Sequence, residues 1–498
     1  MQLSFLLSVL LKTTDMIRRI LLYLFTFFFA TTVFAQISAD IDVDAIIKRE
    51  MTERKIPGLQ VAVVSKGKMV LNKSYGIANV QDNIPVTEKS IFAINSCTKV
   101  FTSVAIMQLV EEGKLDISLP VSTYLPDLPS SWHPVTIKQL LTHTSGLPDE
   151  LRLLDQKTGG TGNETEASLF EKLKATPLEF AAGEKFSYNQ TNAYLLGKLI
   201  NKYAGQVFQE NFDQRQFKPS GLKHTVFGDS RDVIPNFAPT YFYRKNLDGQ
   251  QLVSPVLVNN YYEFPYFRRT ASGLNSTAGD MAKWIIALQS GVLLKSKTSL
   301  ETMWSPGKFN NGKATPWTMG WGLNKLRAKH KAVGMSGGGR AAFLIYPNDD
   351  LAVIVLTNLG GSFPEDFLEE LAGCYQQDIP KADPITLLKI SLRKIGYDKA
   401  IPFAEEQKKI NPLFTPTEFE INEWGYRIMA NGNLSNAREI FKLNTHLFPE
   451  SGNAFDSLGE VLLKEGKKED AIKMYQKSIA LSPDNEHGKK VLAELTKK

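Results

Sequence analysis

Eight positions near the C-terminus recur at a constant spacing of 34 residues. Ile421, Trp424, Gly425, Ile428, Gly432, Ala437, Phe441 and Pro449 return as Phe455, Leu458, Gly459, Leu462, Gly466, Ala471, Tyr475 and Pro483. Such a period marks a stack of helical units, each burying its apolar face on the next, and about three units are needed for stability. A degenerate copy over 384–412, with Ala400 in the small-residue position, supplies the third. Residues 379–498 are therefore expected to form an all-helical domain, entered through the Pro-containing connection from Ile379 to Pro384.

Upstream the pattern differs. Residues 59–64 and 69–75 flank Lys66-Gly67, and residues 342–346 and 351–356 flank Asn348-Asp349-Asp350; each pair predicts a β-hairpin. An antiparallel sheet built from both ends of the region follows. Between about 100 and 320 the patterns are mainly helical, with loops such as 158–162. The expected class is α+β over 36–378: an antiparallel sheet flanked by helices plus a helical region.

Chemistry enters at Ser96-Cys97-Thr98-Lys99. Val100, Phe101, Val104, Ala105, Met107, Leu109 and Val110 recur at helical steps as far as Gly113, predicting an amphipathic helix with Ser96 at its start. Three residues apart on a helix, Ser96 and Lys99 share a face. A serine becomes a good nucleophile when a neighbouring base takes its proton, and a lysine can be that base. Backbone N–H groups at the helix start favour an oxyanion beside the serine. Two further motifs follow: Phe186-Ser187-Tyr188-Asn189-Gln190 and Gly334-Met335-Ser336-Gly337-Gly338-Gly339-Arg340.

In order and spacing these motifs resemble the serine β-lactamase and penicillin-binding superfamily, in particular its branch of class C β-lactamases, DD-peptidases and serine esterases. The stretches from Ile56 to Val63, from Thr136 to Pro148 and from Ser272 to Thr277 match that branch too, and the likeness covers roughly 40–375. It implies an active site where the helical region meets the sheet, with Ser96, Lys99 and Tyr188 catalytic. It further implies an oxyanion hole from the N–H groups of Ser96 and Gly338, beside Gly337, with Gln190 and Ser336 orienting the substrate. Two positions depart from the pattern. Gln190 stands where Asn is usual, which keeps the amide on a longer arm. Met335 stands where Lys or His is usual, and a thioether offers a substrate carboxylate neither charge nor donor. Arg340, five residues on, is a nearby cation, expected at the surface. The C-terminal period resembles the tetratricopeptide repeat, in which small Gly and Ala positions let paired helices approach and large residues fill between them.

The start of the chain looks like an export leader. Met16-Ile17-Arg18-Arg19 is basic, Ile20 to Phe29 is apolar, and Val33-Phe34-Ala35 precedes an expected cleavage, so 1–35 would be removed and the protein would be periplasmic or secreted. Residues 1–15 look like an upstream start assigned in error, and membrane anchoring would follow only from an uncleaved leader. Removing 1–35 takes away three cations and one anion, lowering the formal charge from +6 to +4, too little to argue for nucleic acid. Cys97 and Cys374 are expected as free thiols, and the histidines lack metal-ligand spacing; no cofactor is implied. The expected function is an exported serine hydrolase acting through an acyl-enzyme on an ester, β-lactam or D-amino-acid peptide. The alternative is a degenerate scaffold that docks a protein partner through its repeats.

Overall fold

The computed structural model describes residues 42–153, 165–247, 250–327 and 329–497. The expected leader and the 158–162 loop lie outside them. Residues 54–498 form one compact unit; within residues 1–53 the described part is helical from 42 on.

The frame is a seven-stranded antiparallel sheet in the order β3-β2-β1-β12-β11-β10-β9. Its members are β1 (Gly58–Ser65), β2 (Lys68–Asn79), β3 (Ile84–Pro85), β9 (Leu323–Lys325), β10 (Ala332–Gly337), β11 (Ala341–Tyr346) and β12 (Leu351–Thr357). Both expected hairpins are present. Lys66 and Gly67 carry φ of 51° and 70°, the left-handed pair that a two-residue turn between twisted strands requires. The central pairing of β1 with β12, Val61 opposite Val355, joins the two ends of the region. Both strands are apolar along nearly their whole length and buried except at Ser65, as strands covered on both faces must be.

Helix α1 (Thr98–Glu111) differs from expectation. The sequence predicts an amphipathic helix, but α1 is buried on every side. Its polar residues are satisfied internally: Thr102 donates to the Thr270 carbonyl at 2.8 Å and Ser103 to the Met319 carbonyl at 2.6 Å. It packs against α2 (Gln190–Tyr203), while α3 (Ala278–Gln289) lies on β1, β2 and β12. Two sheets interrupt the mainly helical region that the sequence suggested. One joins β4 (Phe92–Ala93), β8 (Leu274–Ser276) and β5 (Val226–Phe227); the other pairs β6 (Tyr241–Leu247) with β7 (Gln250–Asn259).

From α4 (Pro384–Ile395) and α5 (Ala400–Ile410) onward the chain is all helix. Helices α6 (Glu418–Ala430) and α7 (Leu434–Leu447) are followed by α8 (Gly452–Lys464) and α9 (Lys468–Leu481), displaced by 34 residues, and α10 (Glu486–Thr496) ends the series. A Cβ at Gly425 would lie 2.6 Å from the Phe441 ring, and one at Gly459 would lie 3.1 Å from the Tyr475 ring. Each hairpin thus closes on an aromatic side chain held against a bare backbone.

Charge ties these helices to the sheet region. Arg327 pairs with Asp383, which also accepts Lys325 at 2.9 Å, and reaches Glu420 at 2.8 Å. Asp366 gathers three cations: Arg427 at 2.6 Å, Lys389 at 3.1 Å and Arg54 at 3.2 Å. Those cations hold the Asp366 carboxyl well below the usual carboxylate range, against the opposing effect of its burial. A carboxylate with a depressed folded pKa stabilises the protein above its unfolded value, about 3.9, and that stability is lost as pH falls below it. Asp366→Asn removes the buried charge that these three cations share and is expected to destabilise the protein by about 3 to 5 kcal/mol in urea unfolding at pH 7. Truncation before Asp383, which removes Lys389 and Arg427, is expected to lower the melting temperature of the remainder; an unchanged value would show that these contacts contribute nothing.

Candidate active site

Ser96 lies in a 3-10 turn, Asn95–Cys97, that runs directly into α1. Among residues 91–100 it alone is not fully buried. The turn is tight: Asn95 has φ 45°, and Thr98 Oγ1 donates to the Asn95 carbonyl at 2.6 Å while accepting Leu274 N–H at 3.1 Å. The start of α1 is thereby locked to β8. Strand β10 closes from the other side. A Cβ at Gly337 would sit 2.0 Å from the Ile94 carbonyl oxygen and 3.0 Å from Ser96 N, so only a glycine permits this approach. The next residue, Gly338, is exposed at the strand end with φ 58°. Ser96 N and the backbone around Gly338 are thus brought to one place.

Tyr188 and Gln190 come from the start of α2. Asn189 caps that helix by accepting Asn192 N–H at 3.3 Å, and its amide donates to the Leu147 carbonyl at 2.5 Å. Gln190 N–H donates to Asp149 at 3.0 Å, and Thr191 Oγ1 to the Pro148 carbonyl at 2.7 Å. The segment 147–149 therefore fixes where the motif side chains point. Tyr188 Oη donates to Ser96 Oγ at 2.9 Å. Lys99, buried, donates to Gln190 Oε1 at 2.8 Å and to the Ala271 carbonyl at 2.9 Å, with Nζ 4.8 Å from the Tyr188 ring centre. Shared helix face alone would have aimed Lys99 at Ser96; the hydrogen-bonded neighbour of Ser96 is instead Tyr188, with Lys99 behind it. Gln190 on its longer arm reaches the lysine.

His143, within the stretch from Thr136 to Pro148, supports the tyrosine. Its ring lies 4.7 Å from that of Tyr188 and 5.1 Å from that of Trp317, centre to centre. Nδ1 accepts Asn189 N–H at 3.1 Å. Burial, reinforced by the Lys99 charge, lowers the His143 pKa well below its ordinary value, so the ring is a neutral acceptor at pH 7. Trp317 and Ala271 had no local signal in the sequence, because only packing brings them here.

In the third motif the alternation of β10 separates two roles. Met335 is 2% exposed within the main core, opposite Phe343, whereas Ser336 is the only β10 residue with partial exposure. The position that usually offers a cation is turned into the core. Arg340, expected at the surface, is buried. Cys97 is a buried thiol, its pKa pushed up by burial, and Cys374 Sγ donates to the Glu370 carbonyl at 3.8 Å.

Comparison with known proteins bears on the family and the fold. The beta-lactamase family profile matches residues 43–373. Protein flp of Staphylococcus aureus (strain MW2) is 26% identical over 337 residues, 66% of this chain and 65% of flp, so the chain spans about two thirds of that relative's length. Teichoic acid D-alanine hydrolase of S. aureus (strain MRSA252) is 28% identical over 308 residues, 61% of this chain and 70% of the relative. Among solved structures, the octameric penicillin-binding protein homologue from Pyrococcus abyssi superposes with TM-score 0.58 at 26% identity, covering 71% of this chain and 81% of that one. A class C beta-lactamase mutant superposes with TM-score 0.56 at 22% identity, covering 67% and 97%, a likeness of fold.

Gly337→Ala is expected to force β10 away from the Ser96 turn. Urea unfolding should show a loss of about 1 to 3 kcal/mol, the usual cost of overpacking. Unchanged stability would mean that the strand does not press on the helix start.

Proposed function

Because the chain belongs to the beta-lactamase family over residues 43–373, we propose that it is a serine hydrolase that acylates and deacylates Ser96. The observation that carries this reading is the 2.9 Å hydrogen bond between Tyr188 Oη and Ser96 Oγ, with Lys99 Nζ beside the Tyr188 ring. A degenerate scaffold has no need of that arrangement. Ser96 Oγ attacks the acyl carbon as its proton leaves through the Tyr188 and Lys99 pair. The same pair returns a proton to the leaving group, and water then reverses the sequence on the acyl-enzyme. Lys99 is suited to this exchange. Its two hydrogen bonds, to Gln190 and Ala271, both survive loss of a proton, because a neutral amine still carries two N–H donors. Negative charge developing on the substrate oxygen meets the Ser96 and Gly338 N–H groups, with the positive end of α1 behind them.

The relative named teichoic acid D-alanine hydrolase supports hydrolysis, and the buried Met335 bears on the substrate. A β-lactam carries its carboxylate on the amine side of the scissile amide, where the usual third-motif cation would meet it. This chain offers no cation at position 335, so simple esters fit better than β-lactams. The basic and then apolar start over 16–35 supports work outside the cytoplasm.

A fluorophosphonate probe followed by peptide mapping should locate the adduct on Ser96, and labelling undiminished in Ser96→Ala would overturn the reading. Lacking a charge-assisted hydrogen bond to its carboxylate, benzylpenicillin is expected to be turned over at least about tenfold less efficiently than p-nitrophenyl acetate. Penicillin turnover equal to that of the ester would show another donor for the carboxylate.

A further inference from the structure

Arg340 is 5% exposed and stands two residues beyond Gly338. Among the described residues no carboxylate lies within ion-pair distance of its guanidinium, and Nε and Nη1 are buried without any hydrogen-bond partner. Its neighbours are neutral. The Tyr262 ring lies 5.6 Å from the guanidinium carbon, and a Cβ placed at Gly360 would fall 3.5 Å from both Arg340 Nη2 and Asn260 Nδ2. Gly338 and Asn95, which is adjacent to Ser96, lie beside the guanidinium. A point one Cβ out from Gly338 is 3.1 Å from Asn95 Oδ1 and 3.3 Å from Arg340 Nε, and Asn95 Oδ1 also lacks a partner. A buried, uncompensated guanidinium is costly to keep, and a flat fork of donors matches a carboxylate or phosphate. Here the fork sits next to Gly338, one of the two residues of the proposed oxyanion hole.

We propose that Arg340, beside the Tyr262 ring, forms a subsite for an anionic group on the acyl half of the substrate. This rests on Ser96 being the acylated residue. The acyl half is assigned because the side chains around Tyr188, namely His143, Trp317 and Lys99, share no member with those around Arg340. The leaving group departs toward Tyr188, so the retained acyl chain extends toward Arg340. The favoured substrate is therefore an ester whose acyl chain ends in a carboxylate or phosphate, a class the missing cation at position 335 does not disfavour.

The test compares kcat/KM for p-nitrophenyl esters of dicarboxylic acids, from glutarate to suberate, with their neutral methyl-capped counterparts, in the full-length protein. The wild type is expected to prefer one free-acid chain length by about ten- to a hundredfold, the range of a charge-assisted hydrogen bond, and Arg340→Gln is expected to abolish the preference. Should Arg340→Gln fail to fold, Arg340→Lys keeps the charge without the fork and is expected to retain a reduced preference. Matching chains that end in phosphonate separate the two anion sources: stronger selection of phosphonate than carboxylate assigns the site to phosphate. A wild type that turns over neutral esters through Ser96 with no preference for the acids overturns the subsite and leaves the hydrolase reading standing. A preference that persists in Arg340→Gln overturns the assignment to Arg340. Ester turnover undiminished in Ser96→Ala overturns both.

Discussion

The pairing of β1 with β12 is the constraint on which the rest depends. It joins residues 59–65 to residues 351–357, so the chain between them must leave the sheet and return to it. Closing so long a loop is entropically costly, and the continuous burial of both strands offsets the cost. Once β12 is seated, β11 and β10 follow in antiparallel register, and β10 arrives beside the 3-10 turn that carries Ser96. The nucleophile and the glycine-rich strand are thus positioned by one strand end meeting one helix start.

Around that meeting point the side chains divide by burial and not by sequence neighbourhood. Ser96 and Ser336 are the accessible members of otherwise buried runs. Lys99 is drawn inward by two acceptors, Gln190 and the Ala271 carbonyl, and Tyr188 is left as the group in direct contact with Ser96. A neutral His143 supports the tyrosine through packing and a backbone hydrogen bond, adding no charge of its own. Charge in the site therefore comes from Lys99 and, beyond Gly338, from Arg340.

The C-terminal helices are part of the same compact unit. Two of the three cations that hold Asp366 come from them, Lys389 from α4 and Arg427 from α6, while the third, Arg54, precedes β1. Burying a carboxylate is tolerable only with such partners, so the two regions are linked by a charge requirement as well as by apolar contact. Arg327 adds a second link, bridging Asp383 and Glu420 from the sheet side.

Much of this was legible in the residues themselves. Hairpin turns, the helix after Ser96 and the 34-residue period are local signals, because φ preferences and apolar spacing act within a few residues of one another. Motif order grouped Ser96, Lys99, Tyr188, Gln190, Ser336, Gly337 and Gly338, and the structure brings them together where the start of α1 meets the end of β10. Other features were decided only by tertiary packing. The pattern of α1 suggested one apolar face, yet neighbours cover all of it, since a helix cannot announce from its own sequence how many elements will surround it. Met335 turned into the core and Arg340 became buried because strand alternation and the path of the 338–340 turn, not residue type, set where each side chain points. The roles of His143, Trp317 and Asp366 were equally out of reach. Each depends on partners far away in the chain, which only the folded protein brings within hydrogen-bonding or van der Waals distance.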